Sequence, residues 1–138
     1  AFVIGCSELA GELMAAGLTD RIGKRRAATL GFACNMAAAL LLPWSGGTLV
    51  LALASLFCFY ITFEFTMVSL IPVVTELVPG ARATLLAMYV AALSLGRAAG
   101  ALLAPALYGH GIWASALASL TFSLLAWQLL RRMGMEEG

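Results

Sequence analysis

The chain has 138 residues, of which 62% are hydrophobic and only 11% charged, with 8 basic and 7 acidic side chains and a formal net charge of +1. Soluble globular domains run at about 45–50% apolar and about 25% charged. The composition therefore excludes a disordered chain and a nucleic-acid-binding domain, argues against a water-soluble globule, and predicts an integral membrane protein whose principal partner is the lipid bilayer.

A helix needs about 20 mostly apolar residues to cross the hydrocarbon core. Five stretches meet that length, over 1–19, 27–44, 48–77, 84–107 and 112–130. They are rich in Ala and Leu and lack the strict alternation of membrane β-strands, which are about 10 residues long. The expected fold class is all-α, a polytopic transmembrane helix bundle of about five spans forming one unit over 1–138. Ser45-Gly46-Gly47, Val78-Pro79-Gly80 and Gly109-His110-Gly111 punctuate the runs, and links this short predict antiparallel neighbours. The chain opens on Ala1 within an apolar run, with neither the charged start nor the cleavage site of a signal peptide. The expectation is a piece of a longer protein.

Arg21, Lys24, Arg25 and Arg26 lie between the first two spans, Arg82 between the third and fourth, and Arg131 and Arg132 after the fifth. In a five-helix zigzag all of these fall on one side, and the other side has His110 but no Lys or Arg. The positive-inside rule then predicts an outside N-terminus and a cytoplasmic C-terminus. Trp44 and Trp113 fall at outer helix ends, where interfacial aromatics sit.

Cys6, Cys34 and Cys58 are widely spaced in apolar runs, with no zinc spacing and no disulfide framework. One histidine and seven acids assemble no nucleophilic, metal or phosphate-binding constellation. No enzyme, metal or cofactor is expected.

The sharpest motif is Gly17-Leu-Thr-Asp20-Arg21-Ile-Gly23-Lys24-Arg25-Arg26. A carboxylate at Asp20 suits the positive N-terminal end of another helix, Gly23 permits a sharp turn, and the cations suit an anionic inner leaflet. The segment resembles the signature loop of the major facilitator superfamily, Gly-x-Leu-Ala-Asp-Arg-x-Gly-Arg-Arg. The match runs from Leu18 to Arg26, with Ala16 standing where the family has its first glycine. The region from Glu76-Leu-Val-Pro-Gly-Ala-Arg82 to Ser94-Leu-Gly96-Arg97-Ala-Ala-Gly100 is similar to the tenth and eleventh helices of bacterial drug and sugar efflux members. The Gly-Pro-x-x-Gly-Gly ending of the antiporter helix is not met at Gly100 to Pro105. The resemblance implies helices eight to twelve of a twelve-helix fold, with helices two to six as the other placement. It implies a proton-coupled secondary transporter of the bacterial inner membrane, moving a small molecule by alternating access. The partners implied are a small-molecule substrate, the proton, and an N-terminal half of the same protein. A transport-inactive scaffold in a larger membrane complex is the alternative.

Within the spans, a charged side chain near a helix centre costs about 2.5–3.5 kcal/mol on insertion scales and usually faces an interior or cavity. Glu64 stands mid-span among Phe57, Phe59, Tyr60, Phe63 and Phe65. With Tyr60 it is the expected substrate or proton site, and a carboxylate there suits a proton or a cationic substrate. Glu8 and Glu12 share one face of the first helix. At 1.5 Å per residue Glu8 lies ~18 Å from Asp20 and Arg97 ~20 Å from the inner end of its own helix. Similar depth predicts an intramembrane charge group of Glu8, Glu12 and Arg97, with Glu8 pairing to Arg97. Gly96 and Gly100 form a GxxxG step, which predicts close helix packing. Pro72 and Pro105 predict kinks.

Overall fold

A computed structural model describes residues 2–135. The order is α1 (Phe2–Ile22), α2 (Lys24–Leu41), a 3-10 segment (Leu42–Gly47), α3 (Leu49–Thr75), a 3-10 turn (Pro79–Ala81), α4 (Arg82–Gly109) and α5 (Ile112–Met135). Among the described residues there is no strand, and all five helices are long and apolar enough to span a membrane. The fold is an all-α bundle.

At the basic end α1, α2, α4 and α5 run further than the hydropathy pattern indicates, because the basic residues there continue the helical backbone. Helix α3 is slightly shorter than the expected 48–77, and the second run passes from α-helix to 3-10 after Leu41. Asp20 and Arg21 complete α1, and Lys24, Arg25 and Arg26 open α2. The expected loop across 20–26 is thus reduced to Gly23, whose φ of 95° lies in the left-handed region open to glycine. The Gly23 N–H donates to the Thr19 carbonyl and the Gly23 carbonyl accepts from Ala27, so the two helices abut at this hinge. At the start of α3, the Thr48 hydroxyl accepts from the Leu51 N–H as an N-cap. Helices α3 and α4 each remain one helix through Pro72 and Pro105.

Helix α3 is the central element and packs against both α1 and α2. The α1 contact is a stripe of small residues four apart, Ser7, Gly11, Ala15 and Thr19, all buried. A Cβ built on Gly11 would meet the Ile61 carbonyl at 2.7 Å and the Glu64 Cβ at 2.9 Å. On α2 the matching surface is Ala27, Gly31, Asn35 and Ala38, and a Cβ at Gly31 would sit 2.5 Å from the Thr66 Oγ1. Close backbone approach of this kind is how helices associate in lipid, where apolar side chains gain little by leaving one apolar medium for another. Polar side chains reinforce both contacts. The Thr19 and Ser69 hydroxyls are 2.9 Å apart, and the Asn35 amide donates to the Phe59 carbonyl at 3.1 Å and to the Thr62 hydroxyl at 3.2 Å.

Helix α5 lies on α2, with Leu130 packed among Ala28, Phe32 and Val73. That cluster joins the start of α2, the end of α3 and the end of α5. At the opposite end Trp44 meets Trp113 edge-on, with ring centroids 5.7 Å apart. The antiparallel order is therefore as expected, and the basic residues of the α1–α2 and α3–α4 connections and of the end of α5 gather at one end of the bundle. Helix α4 differs from the rest: it contacts α3 and α5, yet none of its residues is buried.

Candidate functional site

A cavity of 730 Å³ opens between α2, α3, α4 and α5. Its α3 wall is a single helical row, Phe59, Phe63 and Met67, with Glu64 beside it. Asn35 closes it from α2, Tyr89 and Arg97 from α4, and Ser119, Phe122 and Ser123 from α5. The wall is thus aromatic and aliphatic, with a few polar groups.

The charged feature of this wall is an ion pair. The Arg97 Nη2 donates to the Glu64 Oε1 at 3.1 Å. Both residues are near the midpoints of their helices, where an unpaired charge is costly, and pairing offsets part of that cost. The two partners are unequally placed. The Glu64 side chain is 12% exposed, while that of Arg97 is 67% exposed. Glu64 is held from behind by α1: its Cβ lies against Gly11, and the charges of Glu8 and Glu12 act on its carboxyl. On α4, two turns from Arg97, the Tyr89 hydroxyl donates to the Met67 carbonyl at 2.6 Å. These two bonds tie α4 to α3.

Three sequence expectations are corrected here. Arg97 pairs with Glu64, not Glu8. The bundle places α3 between α1 and α4, so the guanidinium meets the α3 carboxylate, and among the described residues no ion pair joins Arg97 to an α1 carboxylate. Tyr60 is not on the cavity wall. Its ring stands edge-on to Phe59, with centroids 5.7 Å apart. The phenol on the wall is Tyr89. Gly96 and Gly100 line the cavity, and a Cβ at either would meet nothing within 4 Å. Neither glycine packs closely within α1–α5, where the close approaches are at Gly11 and Gly31. The α1 stripe was legible as four small residues at spacing four, a signal hidden by the stronger GxxxG string.

The chain matches no protein-family model, no curated protein and no solved structure.

At the basic end, Lys24 Nζ donates to the Glu76 Oε1 at 2.6 Å, clasping the start of α2 to the end of α3. The Lys24 ammonium, by that bond, holds the Glu76 carboxyl below the usual carboxylate range, and Arg82 adds to the effect. Asp20 and Arg21 are exposed in the last turn of α1, and Arg26 is exposed on α2. Among the described residues the Asp20 side chain makes no hydrogen bond or ion pair, so the helix N-terminus expected to hold it is not supplied by α2–α5.

Proposed function

We propose that this chain is part of a secondary active transporter, which moves a small molecule across the membrane by alternating access with proton coupling. The observation that carries the reading is the Glu64–Arg97 pair on the wall of a cavity at mid-helix depth. Ionisable residues inside a membrane span mark substrate and proton pathways by default, and a site at the midplane between helices is where such carriers bind. The resemblance of Leu18–Arg26 to the major facilitator signature supports the same reading. On it, the five helices are helices eight to twelve of a twelve-helix protein. The basic end faces the cytoplasm of an inner membrane, and Asp20 latches onto a helix of the other half.

The test is proton movement in proteoliposomes holding the full native protein, loaded with a pH-sensitive dye and challenged with organic anions, cations and sugars. A substrate-dependent proton flux that is lost in Glu64→Gln supports the transporter. Helix α4, with its exposed apolar surface and no buried residue, also suits a scaffold packed into a larger complex. That reading predicts no substrate-dependent flux for any compound and no effect of Glu64→Gln.

A further inference from the structure

We propose that the cavity takes an organic anion, bound through Arg97, and that Glu64 must be protonated for it to bind. The inference rests on the transporter reading for its physiological meaning, but its geometry stands apart from it.

Four observations lead to it. First, an incoming molecule meets the guanidinium before the carboxylate, because the Arg97 side chain is 67% exposed and that of Glu64 12%. Second, the recorded bond to Glu64 uses one Nη atom, whereas a guanidinium carries five N–H donors in a fork that fits a carboxylate, sulfonate or phosphonate. Third, the remaining wall suits the body of an organic molecule and not a bare inorganic ion. Phe59, Phe63, Phe122 and Leu103 line a space of 730 Å³, within the range of small-molecule sites. Fourth, the pair is neutral as it stands. An anion added alone would put uncompensated negative charge beside Glu64, Glu8 and Glu12 in a low-dielectric region. An anion arriving with one proton leaves the net charge of the site as it was: the proton goes to the Glu64 carboxylate, its bond to Arg97 weakens, and the anion occupies the freed N–H groups.

The groups facing Glu64 are consistent with this exchange. Helix α1 contributes Glu8 and Glu12, and α4 contributes Arg97 and Tyr89. The residues that α2 and α5 place on the cavity wall, Asn35, Ser119, Phe122 and Ser123, carry no titratable group. Arg97 is thus the one cation at the site among the described residues, and Glu64 is the acid in contact with it. A cationic substrate would have to displace Arg97 from a carboxylate that is itself covered.

The experiment measures equilibrium binding of radiolabelled 2-naphthalenesulfonate to the full native protein in nanodiscs between pH 5 and pH 8. This probe remains an anion throughout and does not carry protons through lipid by itself. A naphthyl trimethylammonium compound is the matched cation. One linked proton makes the affinity for the sulfonate fall by up to about tenfold per pH unit as Glu64 ionises. Glu64→Gln, neutral at every pH, should bind the sulfonate tightly across the range with the pH slope gone. Arg97→Gln should lose binding by at least about tenfold, and Arg97→Lys should restore part of it. Should Arg97→Gln fail to fold, the Glu64→Gln slope decides alone. Preference for the cation, absence of sulfonate binding, or loss of sulfonate binding in Glu64→Gln would each overturn the proposal. A pH-gradient flux assay on the same preparation separates the two readings. Sulfonate binding with the predicted slope but no flux of any compound sinks the transporter and leaves the site. Proton-coupled flux of other compounds without sulfonate binding sinks the anion site and leaves the transporter.

Discussion

Single residues set the tightest limits on this structure. At Gly31 an added methyl would lie 2.5 Å from the Thr66 Oγ1 and 3.0 Å from its Cα, and the second of these is backbone that cannot swing aside. Gly31→Ala should therefore push α2 off α3 and lower stability by about 1–3 kcal/mol, read as a shift in a denaturation midpoint in detergent. Gly96→Ala meets nothing within 4 Å and should change that midpoint by less than about 0.5 kcal/mol. Both glycines look alike in the sequence, and Gly96 has the better motif around it. Asn35 makes the complementary case. Its amide bridges to the Phe59 carbonyl and the Thr62 hydroxyl from a buried position. Asn35→Leu should cost about 0.5–2 kcal/mol in the same measurement, the range found for side-chain hydrogen bonds between membrane helices.

The helices divide into a tight set and a loose one. Helices α1, α2 and α3 share small-residue contacts and buried hydroxyl and amide bonds, whereas α4 has no buried residue and two polar ties to α3. Hydrogen exchange in detergent should release the amides of α4 before those of α1–α3, since low packing goes with low local stability. Arg97→Gln should widen that difference and leave α1–α3 unchanged. The clasp between α2 and α3 at the basic end has its own pH dependence. Glu76 titrates lower in the folded protein than in the unfolded chain because Lys24 donates to it. The stability it contributes is present above the unfolded value and is lost as pH falls through the lower, folded value. Glu76→Gln should therefore lower the midpoint at neutral pH, and the gap to the parent should close in acid. Both side chains are substantially exposed, so the gap is small.

For the molecule as a whole, charge and aromatic residues mark opposite ends. The Leu130 cluster and the Lys24–Glu76 clasp lie at the basic end, and the Trp44–Trp113 pair lies at the other. If the basic end is cytoplasmic, a cysteine placed at Gly46 or His110 in the full native protein, with Cys6, Cys34 and Cys58 replaced, should react with an impermeant maleimide from outside intact cells. One placed at Gly80 should react only after the membrane is opened. The reverse pattern would invert the proposed topology.

The residue sequence by itself determined the environment, the number of helices, their alternation and which ends gather the cations. These follow from lengths, apolar runs and charge positions that need no knowledge of neighbours. It also singled out Glu64 and Arg97, because a charge in a 27- or 28-residue apolar helix stands out on composition alone. Tertiary structure decided the partners: that Arg97 reaches Glu64 and not Glu8, that Tyr89 and not Tyr60 meets the cavity, and that Gly11 and Gly31 do the packing while Gly96 and Gly100 face open space. The physical reason is that helix geometry supplies depth and face along one axis but not which helix lies beside which. In lipid, where every side of these helices is apolar, no strong solvent preference tells one face from another. That choice falls to close backbone contact and to a few buried polar bonds, and both exist only once the bundle has formed.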